Sequence, residues 1–325
     1  IVRNESKNME RVLGTLKEII DMGSIVDTGS SDNTEEVIMN WSKKYGIPIT
    51  VHHEPFKNFS YNRTHSFQMA QKTYPEADYA LLSDADFMWE DYGFDKKLLV
   101  DHKYIIDQYN KVLTYANVRL LNMKINFVCK AVTHEFWAED KDQGQYMGEV
   151  RTSKITTLLI DDKEDGGHKA DKFERDERLL RGGLNDPNET KDLKTRYKFY
   201  LAQTLKDVGR HKESIEWYNE RIKDKGWQEE VYYAKFQIGF NYEQLAWKTK
   251  NCVNLMKKKE KSEDDIKNIE KYNPDKEDIS VLTAKVKNYF TSAEESYIQA
   301  HKYRKHRAES LYYLTRMLRS MGKVE

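Results

Sequence analysis

The stretch "LLSDADF", residues 81 to 87, ends a short apolar run on two carboxylates, Asp84 and Asp86. The run reads as a strand with Leu81 and Leu82 buried. Side chains repeat every second residue along a strand, so both acids are expected to point the same way at its end. Carboxylates at the edge of a core are costly to desolvate unless positive charge meets them, and a divalent cation is the usual partner. Two hard oxygen donors on one side suit Mg²⁺ or Mn²⁺. A bare D-x-D is common by chance, and it is the position after an apolar strand that makes this one informative.

The elements that must hold these acids alternate. "SIVDT", "IPITVHH" and "YALLSDAD" are strand-like, and "MERVLGTLKEII" and "NTEEVIMNWSKKY" carry apolar residues at helical spacing. Short strands separated by helices predict an α/β layer structure with a mostly parallel sheet over residues 1–170. "IVRNES" reads as a first strand and its exit turn. In "GSSDNTEEV" a turn leads to a helix opened by Asp32 or Asn33, with Glu35 and Glu36 in its first turn.

Past residue 170 strand signals vanish and long charged helices take over, so residues 171–325 are expected to be all-α. A repeat is visible there. Leu201-Ala202 aligns with Ile238-Gly239 and with Leu314-Thr315, Ser214 with Ala293, and Tyr218 with Tyr297. The second interval is longer, and its excess coincides with the lysine- and acid-rich segment 248–288, read as an insertion, partly helical and partly mobile. The pattern resembles tetratricopeptide units, in which small residues let paired helices approach closely. An ordinary helical bundle is the alternative.

Composition narrows the class. The 325 residues carry 54 basic and 54 acidic side chains, and this zero balance removes the bulk electrostatic argument for nucleic acid or an anionic membrane. Twelve per cent of residues are aromatic, 21 of them Tyr, which argues for packed cores and against disorder. The two cysteines, Cys129 and Cys252, lie far apart without metal-ligand spacing, which points to a reducing compartment, the cytoplasm. No apolar run approaches the roughly 20 residues that span a bilayer. There is no Gly-rich phosphate loop, no G-x-S-x-G elbow and no H-E-x-x-H, so kinase and hydrolase readings have no support.

Five pieces in order, "IVRNES", "IVDTGSSDNT", "FSYNRTHSF", "LLSDADF" and "VTHEFW", resemble a family-2-like glycosyltransferase with the GT-A nucleotide-sugar fold, a Rossmann-like α/β domain. "DGGHKADKFERDERLL" followed by "YLAQTLKDVG" is similar to enzymes of this type that carry a tetratricopeptide tail. The resemblance implies a metal-dependent hexosyltransferase that moves sugar from a nucleotide-sugar, a UDP-sugar foremost, to an acceptor hydroxyl with inversion. Mn²⁺ or Mg²⁺ on Asp84 and Asp86 would neutralise the departing diphosphate.

The same resemblance assigns nucleotide-sugar contacts to Asn4 and Glu5, which sit where ligands collect beyond the strand ends, although a helix N-cap is their plain structural role. Asp27 would accept from the uracil N–H or ribose hydroxyls, or cap its own turn. Thr28 stands where many members have a second acid. Arg63 would support the diphosphate or the metal-binding acids, with a surface ion pair as its other reading. Glu135 is the implied base, His134 a supporting or metal group, and Trp137 a platform for a sugar face. Relatives place a third metal ligand, a His, just before the first tail helix; here Asp162, Asp165 and His168 compete for that place. Implied partners are the donor, a glycan, lipid-linked or protein acceptor, and a second copy through the repeats. A nucleotide-binding adaptor that has lost catalysis is the rival from another class, and a nucleotidyltransferase lacks its Gly-rich signature.

Overall fold

The computed structural model describes residues 1–140, 149–166 and 172–323. Contacts divide the chain into two units, Ile1–Lys172 and Phe173–Glu325. In the first, helical spacing makes α1 (Ser6–Leu16), which buries Met9, Val12, Leu13 and Leu16. β1 (Gly23–Asp27), α2 (Thr34–Tyr45) and β2 (Ile49–His53) follow, with β1 and β2 paired in parallel. The expected first strand is reduced to one parallel bridge between Val2 and Asp27.

Next come α3 (Phe59–Thr73), β3 (Tyr79–Leu81), β4 (Phe87–Asp91), β5 (Lys103–Asn110), β6 (Leu113–Asn122), β7 (Phe127–Lys130), β8 (Phe136–Glu139) and β9 (Thr152–Asp162). Five of these strands form a second sheet in the order β3-β6-β5-β9-β4. Only β5 and β9 pair in parallel within it. The sheet is therefore not mostly parallel as expected. Parallel neighbours need a crossover, usually helical, and α1, α2 and α3 all precede β3; the tight turn between β5 and β6 instead makes antiparallel neighbours. A cavity of about 940 Å³ is lined by residues of both sheets, among them Ile25, Leu81 and Leu82.

α1 serves two cores. Val12 and Leu16 pack with Phe87, Trp89, Ile106, Leu158 and Ile160 of the five-stranded sheet, while Met9 and Leu13 pack with Ile38, Trp41 and Ile49. The Trp89 backbone N–H donates to Thr15 Oγ1 at 3.2 Å, fixing β4 against that helix.

The second unit is helical: α4 (Lys172–Asn185), α5 (Lys191–Asp207), α6 (His211–Lys223), α7 (Gln228–Met256), α8 (Glu263–Tyr272), α9 (Ile279–Tyr303) and α10 (Glu309–Ser320). α5 packs on α6, α6 on α7, α7 on α9, and α9 on α10. The aligned positions of the sequence occupy equivalent contacts. Ala202, Ser214 and Tyr218 are wholly buried between α5 and α6, and Ser214 Oγ donates to the Ala202 carbonyl at 2.7 Å. Between α7 and α9, a Cβ on Gly239 would stand 2.7 Å from the Tyr297 ring, so glycine is what permits that approach. Segment 248–288 forms the end of α7, all of α8 and the start of α9, and Ser262 and Asp265 close a capping box on α8. Among the described residues no helix is long and apolar enough to cross a membrane.

Candidate active site

β3 stops at Leu81, the Leu82 N–H still donates to the Arg119 carbonyl of β6 at 2.8 Å, and residues 83 to 86 leave the sheet as an irregular turn closed by the Phe87 N–H on the Asp84 carbonyl at 3.3 Å. The two acids therefore do not follow strand alternation as expected. Asp84 meets two guanidiniums, and Asp86 lies beside Gly166, where an added Cβ would stand 3.3 Å from Asp86 Oδ2 and 3.5 Å from Glu5 Oε1.

Arg63 reaches Asp84 from α3. Asn58 caps that helix by accepting from the Tyr61 N–H, and buried Asn62 ties the preceding loop by accepting from the Lys57 N–H and donating to the Pro55 carbonyl. With its N-terminus so held, α3 presents Arg63 to two acids at once. Arg63 Nη2 lies 2.7 Å from Asp84 Oδ1, and Nε lies 2.6 Å from Glu135 Oε1. Glu135 is delivered by the β7–β8 hairpin, which is anchored next to Arg63 where the Cys129 N–H donates to Thr64 Oγ1 at 2.9 Å. His134 precedes it at a φ of +52° and is exposed.

Arg119 on β6 was not singled out from the sequence, nor was Gln108 on β5. Arg119 Nη1 lies 3.3 Å from Asp84 Oδ2, and Nη2 donates to Gln108 Oε1 at 2.8 Å. Gln108 in turn donates from Nε2 to Asp162 Oδ2 at 2.8 Å. The available signal is a lone Arg and a lone Gln inside the apolar runs "VRLL" and "YIIDQY", where strand alternation places polar side chains among buried ones.

These contacts split the two acids electrostatically. Burial works against the charge of Asp84, but Arg63 and Arg119 outweigh it and hold the carboxyl well below its usual range. Asp86 goes the other way: burial, then the charges of Asp84, Asp162 and Glu5, push it up to about 6. Among the described residues no basic side chain ion-pairs with Asp86.

The remaining sequence candidates fall into separate places. Asp162 ends β9 next to this cluster, its Oδ1 accepting from the Glu164 N–H. Asp165 is taken up by a two-pronged pair with Arg11 at 2.6 and 2.8 Å. His168 lies outside the described residues. Asn4, at a φ of +55°, accepts from the Ser31 N–H at 2.7 Å and braces the loop after β1. Glu5 is the N-cap residue of α1 and accepts from Asn8 Nδ2 at 2.9 Å. Asp27 is buried, and its Oδ1 caps its own turn through the Gly29 and Ser30 N–H groups at 2.8 and 2.7 Å. Trp137 packs edge-on against Phe67 with centroids 5.6 Å apart, in an apolar cluster with Leu121 and Phe127, and also lines the cavity; the exposed aromatic beside it is Phe136.

A divalent cation fits the chemistry of this donor set, since Asp84, Asp86 and Asp162 supply hard oxygens and Asp86 has no ion-pair partner among the described residues. Among the described residues, no three metal-ligating side chains converge as a ready-made group.

Comparison with known proteins gives the class. Residues 1–102 match the sequence model of Glycosyl transferase family 2. Residues 1–102 of the first unit are thus similar to family-2 glycosyltransferases, a class that moves a sugar from a nucleotide-sugar to an acceptor, and a helical unit follows the first. No curated protein matches. Among solved structures, the crystal structure of S. aureus TarS 1-349 is similar at 13% identity over 92% of this chain and 90% of that chain, with a TM-score of 0.39.

Proposed function

We propose that the chain is a metal-dependent, inverting glycosyltransferase that uses a UDP-sugar and glycosylates an acceptor hydroxyl. The observation that carries the reading is the bridge Asp84–Arg63–Glu135, in which one guanidinium fixes the first acid of the D-x-D pair and a second carboxylate 2.6 to 2.7 Å from its nitrogens. Asp84, Asp86 and Asp162 would hold Mn²⁺ or Mg²⁺, which when bound supplies positive charge for the departing diphosphate. Arg63 and Arg119 keep Asp84 ionised for that role.

On the acceptor side Glu135 takes the hydroxyl proton through the oxygen that Arg63 does not hold. The acceptor oxygen bonds to the anomeric carbon as the bond from that carbon to the phosphate oxygen breaks, and the electron pair leaves with UDP. Inversion follows from a single displacement. The helical unit, with tetratricopeptide-like pairs α5–α6 and α7–α9, is assigned to holding the acceptor or a second copy, because stacked helix pairs offer an extended surface.

A binding-only module is favoured by one observation, that both Asp84 oxygens already face guanidiniums. One experiment separates the two. Incubation with a panel of nucleotide-sugars and Mn²⁺ is expected to release UDP from one donor, with loss on EDTA treatment. Tight UDP binding without release would assign the chain to the binding class.

A further inference from the structure

We infer that Arg119 and Gln108 are positioning residues, a two-residue strut that fixes Asp84 and Asp162 relative to each other beside Asp86. The inference rests on the reading that this acid cluster holds a divalent cation, and it assigns a role to residues outside the D-x-D motif.

Sheet register is the first support. Along β5 and β6, Tyr104 pairs with Leu120 but Ile105 pairs with Val118, so Arg119 is the extra residue of a bulge. A bulge breaks alternation locally and re-aims a side chain. Leu120 and Leu121 pack into different cores, Leu120 with Phe87 and Leu121 with Phe127, and Arg119 shares the Leu120 side instead of the opposite one. Arg119, freed from the alternation, lays its guanidinium over the Phe87 ring, 4.5 Å from the centroid, and reaches Asp84.

Gln108 is the second support. It is 2% exposed, and both ends of its amide are used: Oε1 accepts from Arg119, while Nε2 donates to Asp162 and to the Tyr115 hydroxyl, each at 2.8 Å. A glutamine has one acceptor end and one donor end, so it joins a cation to an anion without adding charge. Asp162 sits opposite Phe87 in the β4–β9 pair, and Gln108 sits opposite Ile160 on the other side of β9. Three neighbouring strands thus carry one continuous path, Asp84–Arg119–Gln108–Asp162, on the sheet that also delivers Phe87 just after Asp86.

The third support is what the path lacks as a stabilising device. Arg119 Nε is buried without a hydrogen-bond partner. Burying a guanidinium with an unsatisfied nitrogen is poor structural economy, and an apolar side chain of similar size would pack there at least as well. A strut that holds ligands at fixed spacing accounts for it: groups behind metal ligands change cation affinity by about 10- to 100-fold when removed.

The test uses the full chain with Arg119→Lys, Gln108→Glu and the double variant. Gln108→Glu keeps the shape and the acceptor for Arg119 but turns the Asp162 end into an oxygen. Free Mn²⁺ is read by electron paramagnetic resonance, UDP affinity by calorimetry with and without Mn²⁺, and the thermal midpoint alongside. Each single change is expected to weaken Mn²⁺ binding about 10- to 100-fold, with UDP weakened only when Mn²⁺ is present. The double variant is expected to be no worse than the weaker single, because the two residues act as one path. Gln108→Met, an apolar match in length, serves as the second variant if the added charge prevents folding, with the same loss expected. Unchanged Mn²⁺ affinity in folded variants, or losses that multiply as for independent sites, overturns the strut while leaving the glycosyltransferase reading in place. Wild-type protein that binds neither Mn²⁺ nor UDP sinks both.

Discussion

Both units bury charge, and they do so differently. In the helical unit Arg221 is 1% exposed, its Nε donating to Glu230 at 2.8 Å and its Nη1 to the Lys225 carbonyl at 2.6 Å. Glu243, also buried, accepts from the Tyr297 hydroxyl and from Arg316, each at 2.7 Å. Each of these two acids has its cation or donor. In the α/β unit, Asp84 and Glu135 pair with arginines and Asp162 accepts from Gln108, while Asp86 has no ion-pair partner among the described residues. A closed network specifies packing, whereas an open one stores an unmet electrostatic demand that a ligand can satisfy.

The largest expected effect comes from removing the unmet charge itself. Asp86→Ala should lower Mn²⁺-dependent UDP release on the order of 10³-fold or more while the thermal midpoint holds or rises, since the change deletes a half-buried carboxylate with no ion-pair partner among the described residues. A large drop in midpoint would mean that Asp86 is structural and would remove the contrast. Breaking the closed network should give the opposite pattern. Arg221→Ala strands Glu230 in the interior and should cost about 3–5 kcal/mol in denaturant unfolding, with UDP affinity of the folded protein unchanged.

Arg63→Lys sharpens the comparison within the open site. A lysine keeps the charge but cannot span Asp84 and Glu135 with two nitrogens of one plane. The expected loss is about 10- to 100-fold in kcat for sugar transfer, with smaller change in the KM for the donor, because the damaged element is the alignment between the two acids. An equal loss in simple UDP binding would place Arg63 on the nucleotide instead.

How much of this was legible in the sequence follows the same divide. α1 and α2 were readable from apolar spacing, and β1 and β2 from short apolar runs between them. The helical second half was readable from the loss of strand signals, and the aligned positions Ala202 and Gly239 from their small side chains. Strands β5, β6 and β9 were not, because alternation, their main signal, is interrupted where register shifts, at Tyr104/Ile105 and at Ile106/Asp107. The same bulge hid Arg119. Arg63 and Glu135 are far apart in the chain, and nothing in their spacing brings them together; a family likeness named them, and tertiary structure joins them on one guanidinium. Strand alternation also misled at Asp84 and Asp86, since it ceases to apply once β3 ends at Leu81.

The smallest effect concerns how tightly each unit closes on its glycines. Gly239, in the interior of α7, faces the Tyr297 ring, and a Cβ there would meet it at 2.7 Å. Tyr297 is wholly buried and its hydroxyl is held by Glu243, so the ring has little freedom to retreat. Gly239→Ala should therefore destabilise the protein by about 1–3 kcal/mol despite alanine's better helix propensity. Gly14, inside α1, has nothing within 4 Å of its added Cβ. Gly14→Ala should then show propensity alone and stabilise by about 0.5–1 kcal/mol, read as a higher denaturation midpoint. Opposite signs at two helical glycines would show that the α7–α9 pair is limited by backbone approach while α1 is not. If Gly239→Ala also stabilised the fold, the ring must shift readily, and close approach would no longer explain why small residues recur at the aligned positions of the helical unit.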